Sequence, residues 1–313
     1  MATAELLELN QEDTMIDRKM NRRQALQNFG LVGVGAALAA CTPPVIAVDP
    51  PKKDIDVDVL NFALNLEYLE AEFYLWAAFN RGLSDADAGG GPASVGGKKL
   101  VYTGLPIDGA VQAYIEEIAT DEENHVKFLR KALGDKAVAR PKIDIGGVGG
   151  AFEAAGLAAS GGALKGFDPY ANALFFLHGA FIFEDIGVTA YKGASPLITN
   201  PGYLEAAAGI LAVEAYHAGE IRTLLYSQRD VVVQGLKVSQ IVQAISNLRG
   251  SVGGGKDQGI IDPKDPTKGN ILPTDENSIA FSRTTREVLN IAYGAKDATK
   301  GSFFPEGLNG AIK

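Results

Sequence analysis

The 313-residue sequence contains one cysteine, Cys41, and only three histidines. A single cysteine excludes an intrachain disulfide and any zinc or iron–sulfur site built on thiolates from one chain. A resident metal would have to sit on carboxylates and imidazoles. Basic runs are also missing beyond the N-terminus, and the formal charge is −9. Nucleic acid is therefore not an expected partner, because phosphate contacts need clustered Lys and Arg. Apolar residues make up 46% of the chain, which is enough for a large core. The 37 glycines and 14 prolines gather between long apolar segments and mark loops.

The first apolar stretch, Phe29 to Ala40, is short of the roughly 20 residues that a membrane-spanning helix requires. It follows Arg22-Arg23 and ends in Leu38-Ala39-Ala40-Cys41, so it resembles a twin-arginine signal with a bacterial lipobox. Residues 1–41 are accordingly read as an N-terminal extension and signal segment, with Cys41 as the lipidation candidate. The expectation is export to the periplasm or cell envelope, with membrane attachment only if Cys41 is lipidated; cleavage after Ala47, in Val45-Ile46-Ala47, is the competing processing site. A Pro-rich tether covers residues 42–55.

Four long segments follow, each too long for a strand. They run from about Asp56 to Asn80, Asp108 to Leu133, Pro169 to Lys192 and Tyr203 to Ser227. Asp168 is expected to cap the third, with Pro169 in its first turn. The first and third are apolar on nearly every face, which calls for burial on several sides. Glu67, Glu70 and Glu72 in the first, and Glu184 and Asp185 in the third, argue against membrane spans. A Gly-rich link, Asp135 to Asp168, is long enough to cross a bundle of helices about 35 Å tall. The fold class expected is all-α: a four-helix bundle over residues 56–230 with one long crossover. A C-terminal extension, residues 231–313, would add helices near Val231–Leu248 and Phe281–Ala292, plus loops packing on the bundle.

Two of the three histidines stand three residues after a glutamate, in Glu122-x-x-His125 and Glu214-x-x-His217. That spacing puts each pair on one helical face, and both faces are otherwise apolar. Glu184 is surrounded by apolar i±3 and i±4 neighbours, so its charge needs a metal, a hydrogen-bond partner or a proton. An internal repeat selects its counterpart on the first helix: Glu184 is followed seven residues on by Tyr191, and Glu67 by Tyr74. Glu67 is thus the preferred ligand and Glu70 the fallback. One Glu from each of two helices and an E-x-x-H from each of the others is the ligand set of di-iron and di-manganese carboxylate bundles. Two metal ions are expected, with iron first and manganese second. A metal-free Glu–His hydrogen-bond network is the competing reading. Tyr74, Tyr191 and Asp185 are candidates to support the ligands from behind, with Asp185 as a helix-surface acid the equal alternative. His178 reads as a core histidine.

Asn61-Phe62-Ala63-Leu64-Asn65-Leu66-Glu67-Tyr68-Leu69-Glu70-Ala71-Glu72-Phe73-Tyr74 resembles the opening helix of the ferritin-like family that includes plant and bacterial desiccation-related proteins. Asp121-Glu122-Glu123-Asn124-His125-Val126 and the ending Phe303-Phe304-Pro305-Glu306-Gly307-Leu308-Asn309-Gly310 fit the same family. The resemblance implies a ferritin-like bundle and Glu67, Glu122, His125, Glu184, Glu214 and His217 as metal ligands. It leaves the activity open. One expectation is an oxidoreductase of the di-iron carboxylate type, meeting a small oxidant (dioxygen or peroxide) or reductant in oxidative or desiccation stress. The other is a non-enzymatic, stress-protective envelope protein with a structural or vestigial site. Oligomeric state is open.

Overall fold

The computed structural model describes residues 54–313; Cys41, the arginine pair and most of the tether lie outside the described residues. Helix α1 (Asp56–Phe79) is buried on almost its whole circumference, as its apolar composition demands. It ends at Phe79 with Asn80 as its cap, at the boundary expected. Asn80 takes the left-handed conformation (φ 56°), and its N–H bonds to the Trp76 carbonyl. Asparagine tolerates this geometry better than most residues. Helix α2 (Asp108–Leu133) buries one stripe and ends at Gly134, whose φ is 59°.

The long Gly-rich crossover has a short helix of its own, α3 (Ala151–Ser160), between Gly150 and a left-handed Gly161. Helix α4 (Ala173–Ala194) begins four residues later than Pro169. Asn172 is its cap, accepting from the Phe175 N–H, while Asp168 closes a turn by accepting from the Tyr170 N–H and pairing with Lys98. The side chain nearest the first free helical N–H groups therefore displaces Asp168. Helix α5 (Pro201–Ser227) has Asn200 as cap and Pro201 in its first turn. Asp56, at the start of α1, accepts from the N–H groups of Thr199 and Asn200 and so fixes the α4–α5 link to α1.

Helices α1 and α2 pack as one antiparallel pair, and α4 and α5 as the other. These four helices form an all-α, ferritin-like bundle. One helical stretch, Ala173–Leu197, is long and apolar enough to cross a membrane, but 94% of its apolar window is buried inside the protein. It is a core helix.

Beyond the bundle, a two-stranded hairpin (β1 Val232–Val233, β2 Leu236–Lys237) replaces the start of the expected fifth helix. Gln234 and Gly235 both have positive φ, the geometry of a tight hairpin turn. Helix α6 (Val238–Val252) follows, then a second hairpin (β3 Ile261–Asp262, β4 Asp265–Gly269), then α7 (Thr285–Ala292). Helix α7 opens with a reciprocal Thr284–Glu287 capping box. Val242, Ile245, Val288, Leu289 and Phe303 from this region join the same apolar core as Leu69, Phe73 and Phe183 of the bundle.

Candidate metal centre

All four bundle helices place acids or imidazoles into one buried volume. Glu67 and Glu70 come from α1, Glu122 and His125 from α2, Glu184 from α4, and Glu214 and His217 from α5. Glu67, Glu122 and Glu214 are fully buried. Ligand atoms fall into two groupings, Glu67–Glu122–His125–Glu214 and Glu122–Glu184–His217, within each of which all lie within 4.8 Å of one another. Glu122 belongs to both.

The local distances are short. His125 Nδ1 is 3.2 Å from Glu67, 3.4 Å from Glu122 and 4.0 Å from Glu214. His217 Nδ1 is 3.2 Å from Glu122 and 3.5 Å from Glu184. Yet both oxygens of Glu122, both of Glu214, Glu184 Oε2 and His217 Nδ1 are buried without a well-aligned hydrogen bond. Buried polar atoms are rarely left so. Ligand atoms about 2.0–2.2 Å from one ion stand roughly 3 Å apart and point at the ion rather than at each other. The spacing and the poor alignment both fit that arrangement.

Electrostatics add to the case. Burial pushes Glu67 up to about 7, with His125 opposing and Glu122 reinforcing the shift. Burial, together with neighbouring carboxylates, drives Glu70 and Glu214 well above the usual range. Glu122 behaves oppositely: burial would raise it, but the two imidazoles beside it hold it well below that range. Burial likewise opposes protonation of the imidazoles and loses. Glu67 and Glu122 push His125 up to about 11, and Glu122 and Glu184 push His217 up to about 12. Without another cation the crowded carboxylates and the two imidazoles hold protons, and metal ions would take the place of those protons.

The tyrosines of the Glu-x6-Tyr repeat cross between the two halves of the bundle. The Tyr74 hydroxyl donates to Glu184, and the Tyr191 hydroxyl donates to Glu67. Asp121, which the sequence reading passed over, lies 3.2 Å from His217 Nε2 and orients that ring from behind. Its place beside Glu122 was visible in sequence; its partner, 96 residues away, was not.

Asp185 is neither beside an imidazole nor on the surface. Its Oδ2 accepts from Arg222 at 2.9 Å and Arg249 at 2.8 Å. Glu72 is likewise drawn off, by Arg140, Ser94, Trp76 and the Leu83 N–H. His178 is a core histidine whose Nδ1 lies 2.7 Å from the Leu174 carbonyl oxygen, and burial lowers it to about 4. Gly187 has a packing reason: a Cβ there would collide with the Glu214 carboxylate.

Residues 55–227 match the family model described as Ferritin-like domain. The chain is 34% identical over 276 residues to "Desiccation-related protein PCC13-62" of Craterostigma plantagineum, covering 84% of this chain and 85% of that protein. It is 32% identical over 275 residues to "Ferritin-like catalase Nec2" of Nesocodon mauritianus, covering 83% and 85%. No solved structure matches significantly.

Proposed function

This chain belongs to the ferritin-like domain family, and on that footing we propose that its core holds two metal ions, iron or manganese, and reduces a small oxidant. The ligands are Glu67, Glu122, His125, Glu184, Glu214 and His217, with Glu122 shared between the two positions. The observation that carries this reading is the set of buried, misaligned carboxylate and imidazole atoms around that shared glutamate. The donor set of oxygen and nitrogen without thiolate suits iron and manganese.

When bound, a redox-active metal pair would supply electrons to the oxidant, replenished by a small reductant or, for peroxide, by a second peroxide molecule, and would stabilise the charge developing on oxygen. The protein's part is positional. Tyr74 and Tyr191 restrain Glu184 and Glu67 by hydrogen bonds from opposite halves of the bundle. Asp121 turns the His217 ring so that Nδ1 faces Glu122 and Glu184. Burial keeps bulk water from the carboxylates. Both imidazoles must lose their protons to act as ligands, so metal uptake releases protons and strengthens as pH rises.

Dioxygen and hydrogen peroxide are the candidate oxidants, and the likeness to a protein named a catalase supports the second. A non-enzymatic protective role with a structural metal site is the alternative, supported by the likeness to a protein named for desiccation. The deciding experiment is elemental analysis together with oxidant consumption. Two Fe or Mn per chain and turnover above that of free metal are expected. Full metal occupancy without turnover would leave the structural role.

The proposal extends to location, with export by the signal of residues 20–41 and a lipid on Cys41 anchoring an otherwise water-exposed domain. Labelled fatty acid should be incorporated by the wild type and not by Cys41→Ser; equal incorporation would reject the anchor.

A further inference from the structure

Two apolar cavities lie between the surface and the carboxylate cluster. The outer one, about 260 Å³, is walled by α3, α6 and α7, and the exposed Ala154 and Ala158 stand at its mouth. The inner one, about 30 Å³, is lined by Glu70 and by Gly187, against whose bare backbone the Glu214 carboxylate rests. Ile182, Ile291 and Phe303 face both cavities and form the partition between them. Among the described residues, Arg249 is the only charged one on the outer lining, where Asp185 and Asp257 engage its guanidinium, and Glu70 the only charged one on the inner lining.

We infer that these cavities are the route by which dioxygen reaches the cluster, and that the crossover helix and C-terminal extension exist in part to build it. The inference rests on the proposed function and chooses between its two oxidants. An outer volume larger than the roughly 150 Å³ that holds benzene or xenon in an engineered cavity is ample for a diatomic gas. The inner cavity has room for little more than a single water-sized molecule. Hydrogen peroxide would shed its hydration shell on entering the inner lining, which is apolar apart from Glu70, whereas dioxygen has no hydrogen bonds to lose. The partition is made of aliphatic and aromatic side chains, which change rotamer without breaking a polar contact. Helices α6 and α7 and Phe303 all lie beyond residue 227, where the match to the family model ends.

Xenon pressed into crystals of the full domain is the direct probe, since it reads the cavities without metal or turnover. Xenon should occupy the outer cavity, and Ala155→Phe or Ala159→Phe, each filling it from α3, should abolish that occupancy. In the iron(II)-loaded protein the same variants should slow dioxygen consumption by roughly tenfold or more. Metal content should not change, and the folded state should be confirmed by circular dichroism. Absence of xenon from the wild-type cavity overturns the inference whatever the activity. Loss of xenon with an unchanged dioxygen rate also overturns it. Wild-type protein that binds xenon and two metals but consumes neither oxidant defeats the proposed function instead, while the cavity's selection of apolar gases stands on the xenon result.

Discussion

Two charged clusters are buried side by side along α4 and α5, and they are satisfied in opposite ways. In one, Asp185 and Asp257 are surrounded by Arg222, Arg249 and Arg283, with donor–acceptor distances of 2.7–2.9 Å. Arg222 also donates to the Asn270 carbonyl and Arg283 to the Thr189 hydroxyl, while Arg249 lies 4.3 Å from the centre of the Phe181 ring. Protein supplies nearly all the partners there. In the other, five carboxylates face two imidazoles, and six of their atoms lack aligned partners. The first cluster is a joint that fixes the C-terminal extension to the bundle. The second leaves buried donor atoms grouped where a metal ion could take them up. Burial of charge is thus no guide to role; what matters is whether the chain itself completes the coordination.

The largest effect should come from Glu122→Ala, which removes the carboxylate common to both groupings. Metal content should fall from two ions per chain to one or none, and oxidant consumption should vanish. Retention of two ions would show that Glu122 is not shared. Next is Arg249→Leu in the arginine cluster. It leaves buried acids short of a cation and should destabilise the fold by about 3–5 kcal/mol in urea unfolding. A loss below about 1 kcal/mol would mean that Arg222 and Arg283 compensate.

The third test separates the clusters by pH. In metal-free protein, Glu67 keeps its proton up to about 7, whereas an unfolded glutamate releases it near 4.5. His125 and His217 keep theirs to about 11 and about 12, against 6.5 when unfolded. The folded state therefore binds more protons above about pH 4.5, and its stability falls as pH rises. Unfolding of metal-free and metal-loaded protein at about pH 5 and about pH 9 should show a gap that widens on the alkaline side. A gap independent of pH would contradict the shifts assigned to these three groups. The arginine cluster should contribute nothing to this trend, because guanidinium groups stay charged throughout.

The smallest effects belong to Tyr74→Phe and Tyr191→Phe. Each should weaken metal binding by about 10- to 100-fold while the fold and the arginine cluster stay intact. Equal losses in the two variants would support their symmetric placement, and unchanged affinity would make them packing residues only.

Much of this was legible in the sequence for physical reasons. Long apolar segments with charged interruptions dictated the bundle, and E-x-x-H spacing forced each Glu–His pair onto one face. The Glu-x6-Tyr repeat favoured Glu67, which enters one of the two ligand groupings, whereas Glu70 lies beside them and Glu72 has other partners. What escaped notice depends on contacts remote in sequence. Asp185 meets Arg222 and Arg249, 37 and 64 residues away, and no local pattern distinguishes it from a surface acid. Helix α3 hid inside a Gly-rich link because ten residues of mostly small side chains carry little periodic signal. The late start of α4 reflects a contest between two good caps, Asp168 and Asn172, that propensity alone does not settle.

The crossing of the two tyrosines bears on the order of assembly. The α1–α2 hairpin lacks the hydroxyl that restrains Glu67, and the α4–α5 hairpin lacks the one that restrains Glu184; each borrows it from the other. Either hairpin could form first by local contacts, but neither can present a complete set of restrained ligands. Under the proposed function, a complete set of restrained ligands would therefore exist only after both hairpins have docked in register.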